Sequence, residues 1–290
     1  MKIDRMNPKT WILSAMIACV LGGFTERALA RPAGKGGSTV TRRAATLEEM
    51  RRDAEAGNPS AQMALGTLYL IGDKSGKTDA SAGISLIQAA AGQGYVRAMN
   101  LLGEVYTNGR HVPKDLPEGV RWVRMSAEKG DGTGEAGLGD SYLNGTGVPM
   151  DPQEAFAWYT RSAGHGNRQG QFQLGMCLRN AWGTTVDDKE SFKWFLKAAQ
   201  QGHVAAMGYV GLCYNEGRGV AVNQVQSTYW ARKGAALGDP YSELNLAISY
   251  EYGMGVKKDL TKAKFWAEQA SQHGNEKAAV ELQKIMGMMK

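Results

Sequence analysis

Glycine returns at a fixed interval along most of this chain. Gly94, Gly130, Gly166, Gly202, Gly238 and Gly274 are each 36 residues apart, and Gly57 precedes them by 37. A period of this length marks a repeat architecture in which no single unit can bury its own apolar face. Four more ladders run in the same phase. One is Gly66, Gly103, Gly139, Gly175, Gly211 and then Ala247. Another is Trp122, Trp158, Trp194, Trp230 and Trp266. A third is Asp115, Asp151, Asp187, Asn223 and Asp259, and the last is Tyr69, Tyr106, Tyr142, Leu178, Tyr214 and Tyr250. Five ladders in one phase are not chance. The units are 57–93, 94–129, 130–165, 166–201, 202–237 and 238–274.

Each unit reads as two helices. In the second, Ala98, Leu102, Val105 and Tyr106 fall on one helical face. Gly109 to Pro113 closes that helix, since glycine in a left-handed conformation is a usual terminator. Asp115 stands where an N-cap belongs, its side chain able to accept from free backbone N–H groups. The second helix turns Trp122 and Ala127 inward and stops at Gly130. The ladder of Gly103, Gly139, Gly175 and Gly211 lies inside the first helix, where glycine costs about 1 kcal/mol relative to alanine. A cost repeated in register implies close approach of the paired helix, with the Trp packed nearby. Gly119, Ala155, Ser191, Ser227 and Ala263 supply a matching small site on the second helix.

Residues 139–151 (GDSYLNGTGVPMD), with the loop Gly253-Met254-Gly255-Val256-Lys257-Lys258-Asp259 and the Trp, Ala and Gly spacing of the second helix, resemble the Sel1-like repeat, a relative of the tetratricopeptide repeat. The resemblance covers 57–274 and implies an all-α, right-handed α-solenoid of about six helix pairs. It weakens in the first unit, which has Leu86 in place of Trp and a different loop. It weakens again in the fourth, with Leu178 for Tyr and Ala181 for Gly, so local distortion is expected there. Solenoids need terminal helices over their exposed apolar edges. Thr46-Leu47-Glu48-Glu49 opens a capping-box helix over 46–56, and 275–290 reads as a last helix with Ala278, Leu282 and Ile285 in register.

The N-terminal segment is of another kind. Lys2, Arg5 and Lys9 precede an apolar run from Trp11 to Phe24, followed by Ala28-Leu29-Ala30. This is the pattern of a secretory signal peptide cleaved after Ala30; the run falls short of the roughly 20 residues of a transmembrane helix. The rival reading is a loose lipobox, Met16-Ile17-Ala18-Cys19, with a lipid on Cys19; an uncleaved anchor is the third. Residues 31–45 read as a flexible linker.

Composition is that of an ordinary globular protein, 43% hydrophobic and 21% charged. The formal charge is +6; residues 1–30 hold four cations and two anions, which leaves +4 on the remainder. Arg42-Arg43 and Arg51-Arg52 form the obvious basic cluster after the leader, without aromatic interleaving, so no nucleic-acid partner is expected. Residues 72–78 (GDKSGKT) are one residue short of a P-loop and follow a helix instead of a strand. Ser126-Ala127-Glu128-Lys129 matches the S-x-x-K string of serine β-lactamases, but S-D-N and K-T-G are missing. It also falls on a packing ladder with Ser162, Ala198, Gly234 and Ala270. His111, His165, His203 and His273 form no H-x-x-x-H pair and sit in a loop or at helix ends. Cys177 and Cys213 share a position in neighbouring units. Helices pack about 8–10 Å apart whereas a disulfide needs Cα atoms within about 7 Å, so buried free thiols are expected. The Cys-rich Sel1-like proteins join the two helices of one repeat, a spacing this chain lacks. No cofactor or metal is expected.

Solenoids bind extended partners along a concave face, and similarity to tetratricopeptide-like repeats implies that first-helix residues line it. The candidates outside the core phase are Arg97, Asn100, Glu104, Thr107, Asn108, Asp140, Asn144, Arg179, Asn180, Tyr209, Asn215, Glu216, Tyr241, Asn245 and Tyr252. Asparagine can donate to and accept from a peptide backbone, and tyrosine gives contact area at low entropy cost. The expected function is an exported, non-catalytic adaptor of the bacterial envelope, periplasmic or secreted, that binds a protein or peptide. The alternatives are an enzyme acting on cell-wall material or β-lactams, and a membrane-tethered assembly factor lipidated on Cys19.

Overall fold

The computed structural model describes residues 47–72 and 78–290. The leader, linker, Thr46, Cys19 and the 73–77 stretch of the P-loop-like string lie outside the described residues. The described part is helical throughout: α1 (Leu47–Glu55), α2 (Pro59–Ile71), α3 (Ala80–Gly92), α4 (Val96–Asn108), α5 (Leu116–Glu128), α6 (Gly132–Asn144), α7 (Pro152–Gly164), α8 (Arg168–Asn180), α9 (Asp188–Gln200), α10 (Val204–Glu216), α11 (Gln224–Ala235), α12 (Pro240–Tyr252), α13 (Leu260–Gln272) and α14 (Ala278–Met288). Helices α2 to α13 are the six expected pairs, with α1 and α14 flanking them. None is long and apolar enough to cross a membrane. The chain divides into two compact units, one ending at Ala98 and one running from Met99 to Lys290.

The Asp/Asn ladder does what an N-cap does. Asp115, Asp151, Asp187, Asn223 and Asp259 each accept a backbone N–H from the first turn of the second helix, and Asp79 extends the series into the first unit. Their own amides reach back to the Tyr ladder: the N–H of Asp79, Asp115, Asp151, Asn223 and Asp259 donates to the carbonyl of Tyr69, Tyr106, Tyr142, Tyr214 and Tyr250, each at 2.9 Å. Leu178 serves equally well in the fourth unit, where Asp187 N–H donates to its carbonyl at 2.9 Å, because the bond uses backbone only. The expected distortion there reduces to one residue. Ala181 takes the left-handed C-cap geometry, φ 58°, that Gly145, Gly217 and Gly253 occupy in neighbouring units.

A second capping ladder, one residue after Gly57, Gly130, Gly166, Gly202 and Gly238, starts five of the first helices. Asn58, Asp131, Asn167, His203 and Asp239 accept from the amides of α2, α6, α8, α10 and α12.

The helix-interior glycines mark close approach, with a correction to the residue that fills the space. At Gly103, Gly139 and Gly175 it is the residue after the Trp, whereas a Cβ on Gly211 would lie 3.2 Å from the Ser227 carbonyl with Trp230 close by. A Cβ on Gly139 would lie 2.6 Å from the ring of Tyr159, and one on Gly175 2.7 Å from that of Phe195. Both rings are fully buried. Ser191 Oγ donates to the Gly175 carbonyl at 2.8 Å, closing the same crossing from the small-residue site. In the unit ending at Ala98, Gly66 and Gly83 meet directly. Leu86, standing where a Trp is expected, packs against the Ala54, Ala61 and Leu65 core there. At the other end Ile285 and Leu282 of α14 close over Ala263, Ala267 and Leu246.

Candidate functional site

Within the unit from Met99 to Lys290, first helices of successive repeats touch one another, α6 with α8 and α10 with α12, while no comparable contact joins second helices. Polar side chains tie these first helices laterally. Asp140 Oδ1 accepts from Gln173 Nε2 at 2.9 Å and from the Tyr159 hydroxyl at 2.6 Å. Arg179 Nη2 reaches Glu216 Oε2 at 3.4 Å. His203 Nε2 lies 2.9 Å from Gln169 Oε1, so its N–H donates to the amide oxygen.

The seam between α8 and α10 gathers the most chemistry. The ring of Tyr209 stacks on Phe195 at 5.0 Å and meets the edge of Phe172 at 5.6 Å. Phe172 in turn stacks on His203 at 4.4 Å. The guanidinium of Arg179 lies 5.6 Å from the centre of the Tyr209 ring. One strip thus carries half-buried aromatic surface at its middle, the Arg179–Glu216 ion pair at one end and the Gln169–His203 pair at the other. It runs for about 15 Å, ten residues at roughly 1.5 Å each.

Of the expected residues, this seam unites Arg179, Tyr209 and Glu216. Asn215 is exposed beside them. The asparagines behave differently from expectation. Asn144 Nδ2 donates to the Asp140 carbonyl at 2.9 Å and Asn180 Nδ2 to that of Met176 at 3.0 Å, so both amides bond back onto their own helix. Asn100 Nδ2 donates to Asp131 Oδ2 at 2.8 Å and buttresses the cap of α6. Arg97, Glu104 and Asn108 are exposed on α4, with Thr107 half-buried between them. Tyr241 is exposed and Asn245 half-buried on α12. Tyr252, also exposed, contacts Lys284 of α14 through its hydroxyl. Phe172, Gln169, Gln173 and His203 belong to the site and are not among the expected residues, although Gln169 shares the register of Arg97 and Tyr241, Phe172 that of Asn100, and Gln173 that of Tyr209 and Asn245. Phe172 and Gln173 stand on no ladder, and His203 hides on a ladder of caps.

The groups singled out for chemistry have structural places. Ser126 is fully buried, and its hydroxyl donates to Asp131 at 3.3 Å. Cys177 and Cys213 are buried and unpaired. Burial pushes the Cys177 thiol up to about 12, with the nearby Asp140 charge adding to the effect, and burial raises Cys213 as well. Thiols so shifted hold their protons at neutral pH. His165 and His273 each place Nδ1 against a carboxylate that is 2% exposed: Glu135 at 2.7 Å and Glu243 at 2.9 Å. In other units the same two positions hold Gln62 with Gln93 and Gln171 with Gln201, bonded amide to amide at 2.8 Å. Among the described residues no three His, Cys, Asp or Glu side chains come together as a metal ion requires.

The Sel1 repeat model matches residues 59–95, 96–131, 133–167, 168–203, 204–239 and 240–275. Among solved structures, c5321, a protective antigen present in uropathogenic Escherichia coli strains, superposes with a TM-score of 0.76 at 35% identity. That match covers 83% of this chain and 51% of the antigen, so the chain spans about half the antigen's length. A Sel1 repeat protein from Oxalobacter formigenes superposes with a TM-score of 0.65 at 27% identity, covering 78% of this chain and 87% of that one. No curated protein matches the chain.

Proposed function

The chain belongs to the Sel1 repeat family, and on that premise we propose that it is a non-catalytic adaptor that holds an extended segment of a partner protein along the α8–α10 seam. The observation that carries this reading is the half-buried Tyr209 ring, flanked on one strip by the Arg179–Glu216 pair and by Phe172 stacked on His203. Aromatic surface that is already ordered costs little entropy to bind against. Charged ends fix the register of a peptide more than they add affinity. The neighbouring first helix α12 carries the exposed Tyr241, which would extend the track.

We place the adaptor outside the cytoplasm, on the charge and apolar pattern of residues 1–30. Its 35% identity to a protein described as an antigen agrees with that. The mass of the protein recovered from the cell distinguishes a chain beginning at Arg31 from one lipidated on Cys19.

The groove is tested by capture of partners from envelope extracts, with the parent compared against Arg179→Ala combined with Glu216→Ala. The Glu216 side chain is 40% exposed but that of Arg179 only 12%, so a thermal melt of the double variant checks that it is folded before its captures are compared. A partner retained by the parent and lost by the folded variant supports the seam; a partner held equally by both refutes it.

A further inference from the structure

The sixth repeat lines a cleft with lysines at three positions where the third repeat, built on the same frame, has none. In both, an arginine of the preceding second helix donates to a ladder tyrosine: Arg124 Nη2 to the Tyr142 hydroxyl and Arg232 Nη2 to the Tyr250 hydroxyl, each at 2.9 Å. The guanidinium-to-ring distances are 5.7 and 5.8 Å. Around Tyr250 this frame opens into a cleft of about 510 Å³ walled by Arg232, Tyr250, the loop Val256 to Asp259, and Lys262. The residues 108 positions before Lys257, Lys258 and Lys262 are Pro149, Met150 and Glu154. The charge at these positions therefore changes from −1 (Arg124 against Asp151 and Glu154) to +3 (Arg232, Lys257, Lys258 and Lys262 against Asp259).

The lysines are not needed to build the frame, because the third repeat makes it without them. They are also placed against the local field. All three lie within a turn of the N-terminus of α13, where the helix dipole favours anions and disfavours cations. The Lys262 ammonium is 5.4 Å from the centre of the Tyr250 ring and 3.1 Å from Asp259 Oδ2. Asp259 is already occupied as the cap, accepting from Lys262 N–H at 3.0 Å. Concentrated positive charge at a helix start, beside a 9% exposed tyrosine, is relieved by a bound anion.

We infer that this cleft binds an acidic segment of a partner protein, a short run of Asp or Glu side chains, at a place distinct from the α8–α10 seam. A peptide fits better than a single phosphate. The cations are spread over a loop and two helices, three of them are lysines acting as point charges, and the one arginine is already engaged with Tyr250. The adaptor reading supplies the kind of ligand, but the Arg179 and Glu216 substitutions that test the seam leave this cleft intact, so each idea can fail alone.

The test is fluorescence anisotropy of a labelled hexaglutamate peptide titrated with the full chain at low and at moderate salt. The parent should bind, with affinity falling as salt rises. Lys257→Gln, Lys258→Gln and Lys262→Gln together should weaken binding about tenfold or more. Lys193→Gln with Lys197→Gln, on α9, should leave it unchanged. The Lys262 side chain is 58% exposed and Lys257 and Lys258 are exposed, so a melt should show an intact fold. Absence of binding by the parent, or equal binding by the triple variant, overturns the proposal. Displacement of the peptide by equimolar pyrophosphate would also overturn it, in favour of a small-phosphate site.

Discussion

His203 Nδ1 accepts the backbone N–H of Ala206 at 3.2 Å while its Nε2–H donates to Gln169, so the imidazole caps α10 as a neutral ring. Burial lowers its pKa, and the Arg168 charge lowers it further. The folded value thus lies below the unfolded one, about 6.5. The stability this group contributes is present above that unfolded value and is lost as pH falls through the folded value. The denaturation midpoint of the parent should therefore fall between about pH 7 and pH 5, by up to the roughly 1 kcal/mol that a cap supplies. His203→Asn, the residue type of Asn167, should cap at both pH values and show a smaller fall. Equal falls in both proteins would refute this account.

Ala181 is the one non-glycine among the described residues with positive φ. The left-handed conformation costs an L-residue about 1–2 kcal/mol, against which glycine loses about 0.4–1 kcal/mol in unfolded-chain entropy. Ala181→Gly should raise stability by about 0.5–1 kcal/mol. A lower melting temperature would show that the alanine methyl makes contacts outweighing its backbone strain.

Gly175 and Gly164 are both helical, and substitution should act on them in opposite directions. A Cβ at Gly175 meets the fully buried Phe195 ring at 2.7 Å, whereas one at Gly164 meets nothing within 4 Å. Gly175→Ala should cost about 1–2 kcal/mol, since overpacking exceeds the gain in helix propensity. Gly164→Ala should be neutral or stabilising by up to about 0.5 kcal/mol. Urea titrations of the two variants decide the matter.

Lys284 holds α14 in place. Its Nζ lies 2.9 Å from Oε1 of Glu251, whose side chain is fully buried, and 2.8 Å from Glu281 Oε1. The Glu251 contact is ionic proximity without good hydrogen-bond alignment. Burial raises the Glu251 carboxyl, with Glu281 adding to the shift and Lys284 opposing it. Lys284 is 41% exposed, which tempers its worth, so Lys284→Ala should cost about 1–2 kcal/mol and speed hydrogen exchange in α14. Adding Glu251→Gln should recover part of the loss by removing the buried charge. No recovery would mean that the lysine acts through its hydrocarbon stem.

The helix pairs were legible because backbone devices repeat in register: turn glycines, Asp caps and the small residues at each crossing. The occupant of the crossing was not. Trp158 and Tyr159 are adjacent in sequence but about 100° apart around the helix, and periodicity alone does not say which of them faces Gly139. The site was half legible. Arg179, Tyr209 and Glu216 come into contact with one another, but Asn144 and Asn180 spend their amides on their own helices, a choice that spacing cannot reveal. The His165–Glu135 contact was hidden because the ladder at those positions changes chemistry from unit to unit, keeping the match and not the residue.

That last contact bears on how such a chain changes length over generations. Glu135 and His165 lie in one repeat unit, as do Glu243 and His273, Gln62 and Gln93, and Gln171 and Gln201. A gene segment copied or lost from one turn glycine to the next takes both members with it and orphans neither. The Arg124–Tyr142 and Arg232–Tyr250 bonds instead cross from one unit to the next, and like the two acid–histidine pairs they recur 108 residues apart. Duplication of a block of three units leaves that imprint. Gain or loss of such a block would return every side chain to a familiar neighbour, whereas a single unit would set unlike edges side by side.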